Sequence, residues 1–172
     1  MLIFVAGSRW AGNASGKKGK TPDQLPRLED INPTNPERPQ TMNEDLLADK
    51  LLIAEMGARY CDACDRKDWD AALALFAKDA HLNASAVYGK IFDGHAQIRE
   101  FFESAPDCLG HHATGFYSDV DSDTQATARL KMLTLFKRNT FTVDYDWELS
   151  KVDGEWKIST QSFNILGKQD CA

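Results

Sequence analysis

The chain lacks any apolar run approaching the roughly 20 residues that a membrane-spanning helix requires. It also lacks a basic surplus. Its 20 Lys and Arg stand against 26 Asp and Glu, a net charge of −6, with a pI near 5.2. That balance excludes non-specific nucleic-acid binding, which needs a basic surface. Cysteine is scarce: Cys61, Cys64, Cys108 and Cys171 are the whole set of 4. They make no disulfide framework, so a reducing, cytoplasmic setting is the expectation. Cys61 and Cys64 form one C-x-x-C, but it lies inside a strongly helical stretch and no second C-x-x-C accompanies it. The pair therefore reads as two small core or near-core residues. No metal-ligating cluster is visible, and no cofactor or metal is expected. The apolar opening Met1-Leu2-Ile3-Phe4-Val5-Ala6-Gly7 lacks the basic n-region of a secretory signal. No internal repeat is evident.

What is present is one domain's worth of ordinary globular sequence: 172 residues, 42% hydrophobic and 27% charged. Residues 1–41 differ from the rest. Ser15-Gly16-Lys17-Lys18-Gly19-Lys20 leads into Asn32-Pro33-Thr34-Asn35-Pro36-Glu37-Arg38-Pro39, without periodicity. This composition predicts a flexible N-terminal extension. Met42 then opens a clean helical pattern. Either Met42 is the natural start or the extension is genuine; residues 42–172 form the folded domain.

The periodicity predicts a helix over 43–66 capped by Asn43, and a second over 69–77 capped by Asp68. Short strands follow near 80–85 and 87–92. Asp93-Gly94 turns the chain into a helix at about 95–104, with Ile98, Phe101 and Phe102 apolar. Longer strands are expected at 111–120, 125–138, 141–152 and 155–166. Of these, 141–152 alternates most clearly. Phe141, Val143, Tyr145, Trp147 and Leu149 share one face; Asp144, Asp146 and Glu148 share the other. Asp153-Gly154 signals a hairpin. Helices followed by an antiparallel sheet give an α+β fold, and a curved sheet around a helix leaves a pocket at its end.

One carboxylate stands out. Leu47, Leu51, Ala54, Ala58 and Cys61 follow one another at helical spacing, and Asp65 continues their line. A carboxylate facing a core is costly unless paired, and a paired buried acid is a candidate for chemistry. His111, at the start of a strand, is the candidate partner; His112 faces the opposite side. His81 and His95 read as surface or turn residues, with His81 a lesser candidate for the pocket. Asp119-x-Asp121-x-Asp123 begins like a calcium loop but lacks its glycine and distal Glu, so it reads as a solvated turn.

The ordered set of motifs resembles the SnoaL-like branch of the NTF2-like superfamily. The set is Tyr60-x-x-x-x-Asp65-x-x-Asp68-Trp69-Asp70, Leu75-Phe76-Ala77-x-Asp79-Ala80 and Gly94-x-x-x-Ile98-x-x-Phe101-Phe102. It continues with His111, Val120-Asp121-x-Asp123, and Tyr145-x-x-x-Leu149-x-Lys151-x-Asp153-Gly154-x-Trp156-Lys157-Ile158. The resemblance covers roughly residues 43–166. It implies a cone-shaped, curved antiparallel or mixed sheet, with about three N-terminal helices on its concave face. It specifies the reaction much less, since the superfamily holds dehydratases, dehydrohalogenases, isomerases, cyclases, epoxide hydrolases and binders.

Within the superfamily, the nearest pattern is the Asp–His branch of scytalone dehydratase, hexachlorocyclohexane dehydrochlorinase and bile-acid 7α-dehydratase. There an aspartate ends the first helix and a histidine opens the third strand, positions that fall on Asp65 and His111. A tyrosine five residues before the aspartate falls on Tyr60. The ketosteroid-isomerase pattern fits less well, because its general base falls near Ala84. Its second acid falls near Asp146, on the polar face. The resemblance thus implies Asp65, His111 and Tyr60 as catalytic residues of a lyase or isomerase. Trp147, Phe163, Asn164, Ser162 and Phe102 are the candidate substrate-binding residues. The implied substrate is a small apolar molecule (steroid, polyketide or aromatic), handled by a homodimer or homotrimer. The alternatives are a non-catalytic ligand- or partner-binding domain, or the small subunit of a ring-hydroxylating dioxygenase.

Overall fold

The computed structural model describes residues 44–170. The expected extension over 1–41, the Asn43 cap and Cys171 lie outside the described residues. The first helix, α1 (Glu44–Arg66), is followed by α2 (Trp69–Ala74) and β1 (Phe76–Asn83). A single helical turn, α3 (Ser85–Tyr88), leads to β2 (Ile91–Asp93) and α4 (Gly94–Ser104). Four long strands complete the fold: β3 (Gly110–Val120), β4 (Gln125–Leu135), β5 (Asn139–Val152) and β6 (Glu155–Asp170). With β1 and β2 they form one curved six-stranded sheet in the order β2-β1-β6-β5-β4-β3. Only β1 and β6 run parallel; the other pairs are antiparallel. The architecture is the expected α+β one, with α1 packed against β3 and α4 against β1.

The sheet's inner face follows from alternation. Ala126, Ala128, Leu130 and Met132 of β4 are buried, as are Val143, Tyr145, Trp147 and Leu149 of β5. Their outer-face neighbours carry charge: Arg129 pairs with Asp146, and Lys131 with Asp144, across the β4–β5 ladder. Asp146 therefore points away from the core, as its sequence position indicated.

Three expectations are corrected. The apolar line Leu47–Leu51–Ala54–Ala58 is not the buried face of α1; Leu51 is 63% exposed. The buried face is Ile53, Met56, Gly57, Tyr60 and Cys61. Gly57 marks it: a Cβ there would stand 3.4 Å from two ring carbons of Phe116, so the missing side chain lets the helix approach β3. A mid-helix glycine costs about 1 kcal/mol, and a close packing contact is a sufficient reason to keep it. The second correction concerns α2, which stops at Ala74, so that Phe76 and Ala77 start β1. The third concerns residues 85–88, which are helical. The Asn83 side chain accepts from Ser85 N at 3.1 Å and Ser85 Oγ at 2.6 Å, starting a turn that Gly89 ends at φ 65°.

A β-bulge shapes the last strand. Glu148 pairs with Thr160 and Leu149 with Ile158, leaving Ser159 as the extra residue. Its hydroxyl donates to the Glu148 carbonyl at 3.0 Å. One extra residue reverses the alternation. Beyond it Gln161 is fully buried and Phe163 partly buried, whereas Trp156 and Ile158 are buried before it.

Candidate active site

The end of α1 sets the position of Asp65. Asp68 N donates to the Ala63 carbonyl at 2.9 Å, and Lys67 N to that of Cys64 at 3.1 Å. Lys67 is left-handed at φ 58°. This paired closure stops the helix one residue past Asp65. Asp68 then caps α2, its side chain accepting from Ala71 N at 3.0 Å. An ion pair from Lys67 to Asp107 ties this corner to the segment entering β3.

There Asp65 meets His111. The His111 backbone N–H donates to Asp65 Oδ1 at 3.0 Å and Oδ2 at 3.2 Å. Nδ1 of the ring lies 2.7 Å from Oδ1. A helix C-terminus repels a carboxylate, and these two donors offset the repulsion. With Nδ1 carrying the proton toward Asp65, Nε2 is left as the nitrogen that can accept one. The side chains are 15% exposed for His111 and 34% for Asp65. Asp65 is therefore not the deeply buried acid that the apolar line suggested; it stands at the edge, behind the imidazole.

His111 lines a cavity of about 740 Å³ whose walls include Tyr60, Phe102, Phe163, Tyr145, Cys64 and Cys108. Tyr60 is buried, and burial raises its hydroxyl pKa well above the usual tyrosine value. It therefore keeps its proton. Burial raises Tyr145 in the same way and pushes the Cys64 thiol up to about 12. The Tyr60 hydroxyl accepts from Gln161 Nε2 at 3.2 Å, and Gln161 Oε1 accepts from Trp147 Nε1 at 2.9 Å. This buried chain joins α1, β5 and β6.

The structure thus brings Asp65 and His111 into contact and sets Tyr60, Phe102 and Phe163 around the same cavity as His111. It does not bring Trp147, Ser162 or Asn164 to the lining. Trp147 is 1% exposed and bound to Gln161, a core position. Ser162 and Asn164 would share the face of Trp156 and Ile158 in an unbroken strand; the Ser159 bulge turns Gln161 and Phe163 inward instead. His81 is also outside the cavity, exposed and bonded through Nδ1 to Asp93 at 2.6 Å. His95 Nε2 lies 3.1 Å from the Phe76 carbonyl. Sequence reasoning missed Tyr145, Cys64 and Cys108 as lining residues and Gln161 as the support of Tyr60. The inward face of β5 already contained the signal for Tyr145.

Asp65, Cys108 and His111 place one ligand atom each within 4.8 Å of one another, the one such group among the described residues. Oxygen, sulfur and imidazole suit a borderline metal. Each group also has protein contacts of its own. The Cys108 thiol lies 3.0 Å from the Leu135 carbonyl and 3.2 Å from that of Gly110, while Asp65 and His111 satisfy each other.

A curved sheet, helices across it, a largely apolar cavity and a carboxylate–imidazole pair beside that cavity define an α+β domain of one recognisable architecture. The chain belongs to the SnoaL-like domain family, whose pattern matches residues 45–161. Solved structures agree on the fold. A candidate aromatic ring hydroxylase from Novosphingobium aromaticivorans is 25% identical with a TM-score of 0.63, over 73% of this chain and 94% of that one. A candidate scytalone dehydratase from the same organism is 20% identical with a TM-score of 0.66, over 76% and 93%. A hexachlorocyclohexane dehydrochlorinase from Novosphingobium barchaimii is 15% identical with a TM-score of 0.68, over 76% and 95%. Comparison with curated protein sequences yields no match. No helix among the described residues is long and apolar enough to cross a membrane.

Proposed function

We propose that the protein is a lyase or isomerase that works by His/Asp acid–base catalysis on a small apolar substrate. The observation that carries this reading is the 2.7 Å contact from Asp65 Oδ1 to Nδ1 of a histidine that lines an apolar cavity. In the proposed step, Nε2 of His111 takes a proton from a substrate carbon. The C–H electrons form a new C=C bond, or an enolate next to a carbonyl. In elimination, the leaving group departs from the adjacent carbon with its bonding pair. Asp65 stabilises the imidazolium and holds the ring's orientation. Tyr60 donates its O–H to the leaving oxygen or to the enolate. In isomerisation, the imidazolium returns the proton to another carbon. The chemistry needs no group beyond these side chains. The candidate scytalone dehydratase and the dehydrochlorinase among the similar structures support the reaction class.

A second reading is a non-catalytic binding domain, or the small subunit of a ring-hydroxylating dioxygenase. One observation favours it: Asp65 also accepts the backbone N–H of His111, so the pair would clip α1 to β3 without chemistry. The likeness to a candidate aromatic ring hydroxylase points the same way. His111→Ala separates the two. Catalysis predicts lost turnover with ligand binding kept; a clip predicts lowered thermal stability and unchanged ligand handling.

A further inference from the structure

The cavity's charged residues are not evenly paired. Its lining carries Lys67, Lys137 and Arg138 against Glu103 and Asp107. Lys67 binds Asp107, and Arg99, from outside the lining, stands 3.7 Å from Glu103. Lys137 exerts only a lesser, longer-range pull on Asp107. Among the described residues, no carboxylate lies within salt-bridge distance of Lys137 or Arg138. The two exposed cations sit side by side in the β4–β5 turn, which Phe136 N closes on the Asn139 carbonyl at 2.9 Å. Phe136 beside them lines the cavity and packs edge-on against Phe141, with ring centroids 5.6 Å apart. In a chain of net charge −6, this leaves an unpaired positive mouth over an aromatic interior.

We infer that the cavity takes an amphipathic organic anion: an apolar body in the aromatic interior, with a carboxylate at Lys137 and Arg138. The inference deepens the proposed function and rests on its reading of the cavity as the substrate site. The ladder gives the order along the sheet. His111 pairs with Thr134, β4 ends at Leu135, and Lys137 and Arg138 follow in the turn beyond it. The imidazole and the cations therefore lie at successive positions toward this end of the sheet, so one ligand meets both.

The test is calorimetric binding of 6-(2-naphthyl)hexanoic acid and its methyl ester to the full chain and to Lys137→Gln/Arg138→Gln. Both substituted residues are exposed, so folding is undisturbed. Exposed ion pairs are individually weak; two together predict that the acid binds about 5–10-fold tighter than the ester. The double variant should lose that preference, and 0.5 M NaCl should reduce it. Equal binding of acid and ester to the native chain overturns the inference, as does a preference that survives in the double variant. Binding of neither compound overturns it together with the substrate-site reading. His111→Ala keeps the fates of the two proposals apart: it should retain the acid preference even if no turnover is ever found.

Discussion

Asp65→Asn is the substitution whose two consequences differ most in size. The native carboxylate receives two donors, the His111 N–H and Nδ1–H, and Oδ1 takes part in both contacts at 3.0 and 2.7 Å. Asparagine keeps the volume but offers one acceptor and one donor. With its oxygen toward Nδ1, its NH₂ faces the backbone N–H that Oδ2 now accepts at 3.2 Å. With its NH₂ toward Nδ1, the imidazole must carry its proton on Nε2 and can no longer act as a base. Either arrangement also removes the charge that stabilises the imidazolium. Positioned acid–base catalysis contributes about 10²–10⁴-fold, a barrier increase of about 2.7–5.4 kcal/mol. The folding cost is smaller. Asp65 is 34% exposed, so screening holds the loss to about 1 kcal/mol, roughly 3–5 °C in Tm for a domain of this size. Turnover on a substrate of the native protein, paired with a thermal melt, measures both. Turnover within threefold of native, beside a drop in Tm of that size, would refute the catalytic role and leave the clip.

Three further outcomes follow from the same structure. Gln161→Leu removes the partner of both Trp147 Nε1 and Tyr60, and one orphaned buried donor costs about 1–3 kcal/mol. Urea unfolding should show that loss; an unchanged midpoint would contradict it. Asp49 accepts from Lys151 at 2.8 Å and Trp156 Nε1 at 2.8 Å, and the Lys151 bond is the main reason its pKa is lowered. Its folded pKa lies below its unfolded value near 3.9, so its stabilisation is present above that pH and lost as pH falls through the folded value. The melting-temperature gap between native protein and Asp49→Asn should therefore be full at pH 6–7 and shrink below about pH 4. A pH-independent gap contradicts the linkage. Burial holds the Cys64 thiol near 12 and Cys61 near 11. At pH 8 Cys64 should react with iodoacetamide roughly 10³-fold more slowly than a free cysteine, by thiolate fraction. Peptide mass analysis before and after denaturation checks this, and rapid native labelling would contradict it.

The strands of the second half were legible because each needs only local alternation. Residues 141–152 bury one face against the helices, and the period of two survives in the structure without interruption. The Asp65–His111 contact was reachable only through motif order, because nothing local says that a helix end and a strand start 46 residues apart will meet. The misplaced face of α1 has a different cause. The line through Leu47 and Leu51 is the more apolar in composition, whereas Gly57, whose missing side chain admits Phe116, counts for nothing in an apolar tally. The Ser159 bulge was equally silent. It inserts one residue with no turn-forming signature, and that residue moved Ser162 and Asn164 off the predicted face while turning Gln161 into the core. Trp147 was correctly placed on the inner face. It sits too deep, against Gln161, to reach the cavity.

The central claim is that His111 removes a proton from carbon inside this cavity. A panel of apolar compounds that carry an acidic C–H, with or without an adjacent leaving group, can be incubated with the protein in D₂O. Mass spectrometry then reports both eliminated product and deuterium incorporated into recovered substrate. The account predicts that the native protein eliminates or exchanges at least one compound and that His111→Ala, folded and still binding it, does neither. Equal exchange by the two proteins, or tight binding across the panel with no exchange by the native chain, would contradict it.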